Sequence, residues 1–168
     1  HGANRLGGNA LAETQVFGRR AGLFAGKEPV RDKGFSDSVI FAVIKELEDF
    51  LHGDTAPHII RTRLQEAMWK GAGIFRNRTD LEQTLTQIES LDNITLKASH
   101  PTILAECCIV RNMLTTARLI VTSALIREES RGAHVRTDIT QDWDATSSPF
   151  GHTRIRRDTK SIDRRGEA

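Results

Sequence analysis

Apolar residues recur along this chain at three- and four-residue spacings, and almost nowhere do they alternate with polar ones as a half-buried strand requires. Leu11, Val16, Phe17 and Leu23 predict a helix over 10–25, with Asn9 as its N-cap. Val39, Ile40, Val43, Ile44, Leu47 and Leu51 predict a second over 36–51, capped by Ser36 or Asp37. A third, over 56–72, carries Ile60, Leu64, Ala67 and Met68 on one face and stops at Gly71 and Gly73, with Trp69 read as a packing residue. Thr79 and Glu82 form a capping box for a fourth, over 79–91, with Leu81, Leu85 and Ile88 at helical spacing. Pro101, after Ser99 or His100, opens the longest, 101–128. That last helix is apolar on most sides and so belongs in the middle of a bundle. Glu106, Arg111 and Arg118 interrupt it, which argues against a membrane span. The expectation is a mainly α chain: an antiparallel three-helix bundle made from 56–72, 79–91 and 101–128, with a short irregular or β tail containing the stretch from His152 to Arg157.

Composition narrows the chemistry. A length of 168 residues suits one domain, or one domain plus a fragment. The net charge of +2 is too small to point to nucleic acid. A basic tail, with six Lys and Arg against two Asp between His152 and Arg165, has too few aromatic residues for base stacking and reads as a terminal or partner-contacting segment. Cys107 and Cys108 are neighbours in an apolar helical run, point in different directions, and read as core residues of a reducing compartment. His52, His58, His100 and His152 show no metal-ligand spacing, so no metal site is expected.

The richest local chemistry is in the first eleven residues. Gly2, Asn4, Gly7, Gly8 and Asn9 predict a short loop that runs straight into the first helix. Ala10 and Leu11 in its first turn carry amide N–H groups with no partner inside the helix, and such a helix start favours negative charge. Arg5, just before them, can grip a carboxylate through two parallel hydrogen bonds. These parts amount to half of an anion-handling site.

The same residues carry a family resemblance. His1 to Leu11, reading His-Gly-Ala-Asn-Arg-Leu-Gly-Gly-Asn-Ala-Leu, with Val16-Phe17-Gly18-Arg19 after them, resembles the late FAD-binding signature of the succinate dehydrogenase and fumarate reductase flavoproteins, which L-aspartate oxidase shares. The resemblance implies that Arg5 binds a substrate carboxylate and that the backbone N–H groups of Ala10 and Leu11 face the flavin. Ala10 stands where the family usually has Ser, which keeps the backbone donor and loses a hydroxyl. A second match, Glu129-Ser130-Arg131-Gly132-Ala133-His134-Val135-Arg136-Thr137-Asp138, resembles the segment that follows the family's helical domain. Arg131 and His134 thereby become candidate near-site residues, adding positive potential near a dianion. The alternative at this point is a helix stop whose cations pair with Glu128, Glu129 and Asp138.

By resemblance, residues 1–26 are the C-terminal remnant of an FAD-binding domain, 27–54 a linker and connecting helix, 55–138 the three-helix C-terminal domain and 139–168 a basic tail. The expected function is the C-terminal portion of an FAD-dependent oxidoreductase that interconverts succinate and fumarate, a dicarboxylate pair, and passes electrons to an iron–sulfur subunit. The chain is expected to be inactive by itself, since the family's FAD pyrophosphate loop and the missing N-terminal FAD domain would lie upstream of His1. The implied location is the cytoplasm, or the cytoplasmic face of a membrane through partner subunits. The alternatives are a fragment of L-aspartate oxidase and a helical interaction module with no activity of its own.

Overall fold

A computed structural model describes residues 8–29, 34, 36–140, 148–149, 153 and 155. The described elements run α1 (Asn9–Ala25), α2 (Asp37–Asp49), α3 (Pro57–Gly71), β1 (Phe75–Arg76), α4 (Arg78–Asp92), α5 (Pro101–Ile126) and β2 (Val135–Arg136). The stretch from His152 to Arg157 lies almost wholly outside the described residues, and the described Thr153 and Ile155 are not in a strand. The chain divides into two compact units between Ala42 and Val43.

In the first unit, α1 buries none of its residues. Leu11, Val16, Phe17, Leu23 and Phe24 all lie more than half exposed, and Cβ atoms built on Gly18 and Gly22 would meet nothing within 4 Å. Arg20 and Lys27 lie over the rings of Phe17 and Phe24, giving them partial polar cover. Gly8, not Asn9, occupies the N-cap position, in helical conformation and without a side-chain cap. Asn9 is thus the first helical residue, where its amide side chain cannot do the capping.

The second unit holds the bundle. Its helix directions follow from contacts at the two ends. Thr55, just before α3, bridges Leu96, just after α4, and the Ala98 amide donates to the Phe50 carbonyl at 2.7 Å. At the opposite end, Gly71 closes α3 against Asp80 and Thr84 in the first turns of α4. There too, β1 pairs in parallel with β2, through Val135 N–H to Ile74 C=O at 3.0 Å and Thr137 N–H to Arg76 C=O at 2.9 Å. The three helices therefore run up, down and up, the antiparallel bundle expected from the short connections.

Ile60 and Leu64 from α3, Leu81 and Ile88 from α4, and Cys107, Val110, Leu114 and Val121 from α5 interlock in the core. Their spacing of three, four or seven residues is what put them on common faces. Among the described residues α5 is the one helix long and apolar enough to cross a membrane by length and composition. Here it packs one face on α3 and α4. That arrangement corrects the expectation of a helix buried on most sides, because two neighbours cover only part of the cylinder, leaving Ile109, Leu119 and Ile120 at 41–52% exposure.

Two further expectations fail for local reasons. Trp69 is 85% exposed, since it sits off the stripe of Ile60, Leu64 and Ala67 that faces the core. The cap of α4 is Asn77, whose side chain accepts from the Asp80 amide at 2.8 Å and donates to the Asp80 carboxylate. Asn77 and Asp80 thus form the reciprocal cap, two residues earlier than Thr79 and Glu82.

Candidate functional site

The described residues hold candidate chemistry at two places, one in each unit. The first is the start of α1. Arg5 lies outside the described residues. Ala10 is half-buried and Leu11 exposed in the opening turn, with no side-chain cap and no acidic residue in that turn. Among the described residues no side chain caps that turn, and such a helix start favours negative charge. A Cβ at Gly8 would meet no atom within 4 Å, so the backbone here is open to close approach. These residues fit a group that brings partial negative charge to a helix start, as the pyrimidine edge of a flavin does.

The second place is built where α5 ends. Beyond Arg127 the chain makes a tight turn from Arg131 to His134, closed by reciprocal backbone bonds of 2.8 and 3.0 Å. Gly132 takes φ of 60° there. Its left-handed conformation serves this turn, not the cap of α5, which falls at Arg127. The turn leads into β2, which pairs with β1, and Arg127, Glu129, Arg131, Arg136 and Asp138 form ion pairs around it.

Glu129 is fully buried. It accepts from Arg131 Nε at 2.8 Å and Nη2 at 2.9 Å, from the Ser148 hydroxyl at 2.7 Å, and from Arg127. The Arg131 hydrogen bonds come first among the causes that bring its carboxyl down to about 2, against the opposing effect of burial. Arg136, also buried, forks onto Asp138 with two 2.8 Å bonds and gives its remaining Nη1 to the carbonyls of Ala124, Leu125 and Arg127. It thereby satisfies orphan carbonyls at the end of α5. That guanidinium holds the Asp138 carboxyl well below the usual range. Glu128 pairs instead with Arg78.

His134 is buried between these groups. One ring nitrogen, Nε2, donates to the Arg127 carbonyl at 3.1 Å, and Nδ1 accepts from Arg76 Nη1 at 2.9 Å. Burial lowers its proton affinity first, followed by the cations Arg76, Arg136 and Arg127. The arrangement fixes a neutral ring with its proton on Nε2. The structure thus brings Arg131 and His134 together, about Glu129 and Arg127, and ties both into local bonds. Arg76 and Ser148 were not anticipated as members, because each reaches the cluster from elsewhere in the sequence, Arg76 from β1 and Ser148 from beyond β2. Within the sequence only the Gly-Ile-Phe-Arg run, a cation after exposed apolar residues, hinted at Arg76. Among the described residues no group of three or more His, Cys, Asp or Glu could hold a metal ion.

A three-helix bundle followed by a charge-locked turn makes the second unit a mainly helical domain. The profile of the family described as fumarate reductase flavoprotein C-term matches residues 61–164, and the chain belongs to that family. It is 43% identical over 146 residues to one subunit of the CoM/CoB fumarate reductase of Methanothermobacter marburgensis, covering 82% of this chain and 27% of the relative. A chloroplastic L-aspartate oxidase of Oryza sativa is 32% identical over 160 residues, covering 82% and 23%. Among solved structures, the Sdh1 complex of Mycobacterium smegmatis in the apo form superposes with a TM-score of 0.72 at 30% identity, over 83% of this chain and 25% of that one. The chain spans about a quarter of the length of the curated relatives it matches.

Proposed function

We propose that this chain forms the C-terminal part of a flavoprotein subunit that interconverts succinate and fumarate, and that its role is to complete a flavin and dicarboxylate site from one side. The observation that carries this reading is the uncapped first turn of α1 behind Gly8, lying within the signature that resembles the family's late FAD-binding segment. In this reading the amides of Ala10 and Leu11 face the pyrimidine edge of the flavin, where negative charge gathers on reduction. Arg5 takes one carboxylate of the substrate in a bidentate grip and so fixes its orientation. FAD, when bound, supplies the hydride acceptor or donor. Residues 1–26 then belong with the FAD-binding part, 27–54 connect, 55–138 are the helical domain, and 139–168 a basic tail. Arg131 and His134 act at a remove, by holding the fold of the turn and not by touching substrate. Electrons pass on to an iron–sulfur subunit, and the assembly works in the cytoplasm or at the cytoplasmic face of a membrane through its partners.

Assay of the full-length protein with succinate, fumarate and aspartate tests this. Turnover of the succinate–fumarate pair, with Arg5→Gln raising KM at least tenfold while flavin stays bound, is the expected result. Oxidation of aspartate in preference would favour the second reading, L-aspartate oxidase, which the similarity to the Oryza sativa protein supports. Full activity in Arg5→Gln would overturn the role given to that residue.

A further inference from the structure

Two neighbours of His134 can be satisfied only by an uncharged ring. A guanidinium is always a donor, so the 2.9 Å bond from Arg76 Nη1 requires a lone pair on Nδ1. A carbonyl only accepts, so the 3.1 Å bond to Arg127 requires the proton on Nε2. With both nitrogens engaged and the ring buried, the imidazole ties β1 to the end of α5. A proton arriving at Nδ1 would set an N–H against the guanidinium and turn that bond into a repulsion between like charges.

The charges around the ring offer that proton no compensation. Arg76 faces it from β1, Arg127 from the end of α5 and Arg136 from β2. Glu129 in the turn is held by Arg131, Arg127 and Ser148. Asp138 is forked by Arg136 and takes the Arg78 amide, and Glu128 pairs with the Arg78 side chain. Among the described residues each of these carboxylates is committed to an arginine, and the ring bonds Arg76 and Arg127 instead. What the ring holds shut is also small. β1 and β2 are two residues long, and their pairing rests on the amides of Val135 and Thr137. Ile74 and Phe75 beside them are 60% and 72% exposed, so little apolar burial backs those bonds. Segments built this way open at lower cost than a packed core.

We propose that His134 is an acid-released latch: when its ring takes a proton from solvent at Nδ1, Arg76 is expelled and β1 parts from β2 while the three-helix core stays folded. The core is independent of the event, because Ile60, Leu81, Ile88, Val110 and Val121 are fully buried among apolar neighbours and carry no titrating group. This inference does not depend on the substrate assigned above.

The test is native-state amide hydrogen exchange of the full-length protein at pH 7.5 and pH 5.5, corrected for the intrinsic pH dependence of exchange and read on peptides that cover Val135 and Thr137 and on peptides from α3, α4 and α5. The opening constant of the Val135 and Thr137 amides should rise up to about tenfold at the lower pH, the limit for one histidine titrating near 6.5 once released. Urea below the unfolding transition should scarcely change that opening, because little surface is exposed by it. The amides of Ile60, Ile88 and Val110 should stay more protected than those of Val135 and Thr137 at both pH values. His134→Gln, whose side chain keeps an N–H for the Arg127 carbonyl but does not titrate, should abolish the acid response. If that variant fails to fold, Arg76→Met serves in its place: with the opposing cation removed, the response should shrink. Equal protection at the two pH values, a response undiminished in the folded variant, or exchange of Val135 and Thr137 only together with the helical core would overturn the proposal.

Discussion

His134 accepts a hydrogen bond from Arg76 at 2.9 Å across 58 residues of sequence, and this bond exists only while the imidazole is neutral. Protonation would put a second N–H opposite the guanidinium, inside a ring of three cations formed by Arg76, Arg127 and Arg136. The folded-state pKa lies below that of the unfolded chain, so falling pH loads protons onto the unfolded state first. The contribution of His134 is whole above the ordinary histidine pKa of about 6.5 and is lost as pH drops through the folded value. Urea unfolding at pH 7.5 and pH 5.5 should show the wild type losing up to about 1.4 kcal/mol more than His134→Gln, the limit set by one proton taken up by the unfolded state over the pH unit below about 6.5. Equal losses in both proteins would remove His134 from the account.

Glu129 sets a second, more acidic window. Its carboxyl is drawn down to about 2 by Arg131, Ser148 and Arg127 together. Stability from this group is complete above the ordinary value of 4.5 and declines as pH falls toward 2. Glu129→Gln keeps the shape and removes the charge, leaving Arg127 and Arg131 facing an amide. Because Arg131 is 38% exposed and regains water, the cost should sit at the low end for a broken buried pair, about 3 kcal/mol. Denaturant midpoints of the two proteins should differ at pH 7 and converge near pH 2.

Most of the bundle was legible because its core is an arithmetic of threes and fours. Ile60, Leu64 and Ala67, or Val110, Leu114, Ala117 and Val121, announce a buried stripe whatever lies opposite. What periodicity does not say is how much of a helix its neighbours cover, and so Trp69 and the whole circumference of α5 were assigned to packing that the described residues leave partly open. The cap of α4 failed for a different reason: Asn77 with Asp80 and Thr79 with Glu82 have the same spacing two residues apart, and the helix starts at the first. The candidate site divides the same way. Arg131 and His134 stood in one legible motif, but the meeting of Arg76 with His134 depends on a two-residue parallel pairing too short to leave a pattern.

Two glycines that look alike in sequence should respond oppositely to alanine. At Gly71 a Cβ would stand 1.9 Å from the Thr84 hydroxyl and 2.9 Å from the Asp80 carbonyl. Thr84 is buried and bonded to that same carbonyl at 2.7 Å, so it has little room to yield. Gly71→Ala should cost about 1–3 kcal/mol by overpacking α3 against α4. At Gly22, within α1, the added methyl meets nothing within 4 Å. Gly22→Ala should raise helix stability by up to about 1 kcal/mol. Thermal melts of the two variants beside the wild type would show the shifts in opposite directions.

The tightest dependence on side-chain geometry is at Arg136. Its planar head does two jobs at once, forking onto Asp138 on one side and closing the carbonyls of Ala124, Leu125 and Arg127 on the other. An ammonium group carries the same charge but has a single point of donation, so Lys can serve the carboxylate or the end of α5, not both. Arg136→Lys should therefore cost about 2 kcal/mol even though net charge is unchanged, one buried acceptor set being left unsatisfied. If charge alone mattered, Arg136→Lys would be neutral and Asp138→Asn would carry the whole penalty. A double-mutant cycle between positions 136 and 138 separates the cases. A coupling energy smaller than the cost of Arg136→Lys means the remainder belongs to the carbonyls that end α5, the outcome this geometry requires.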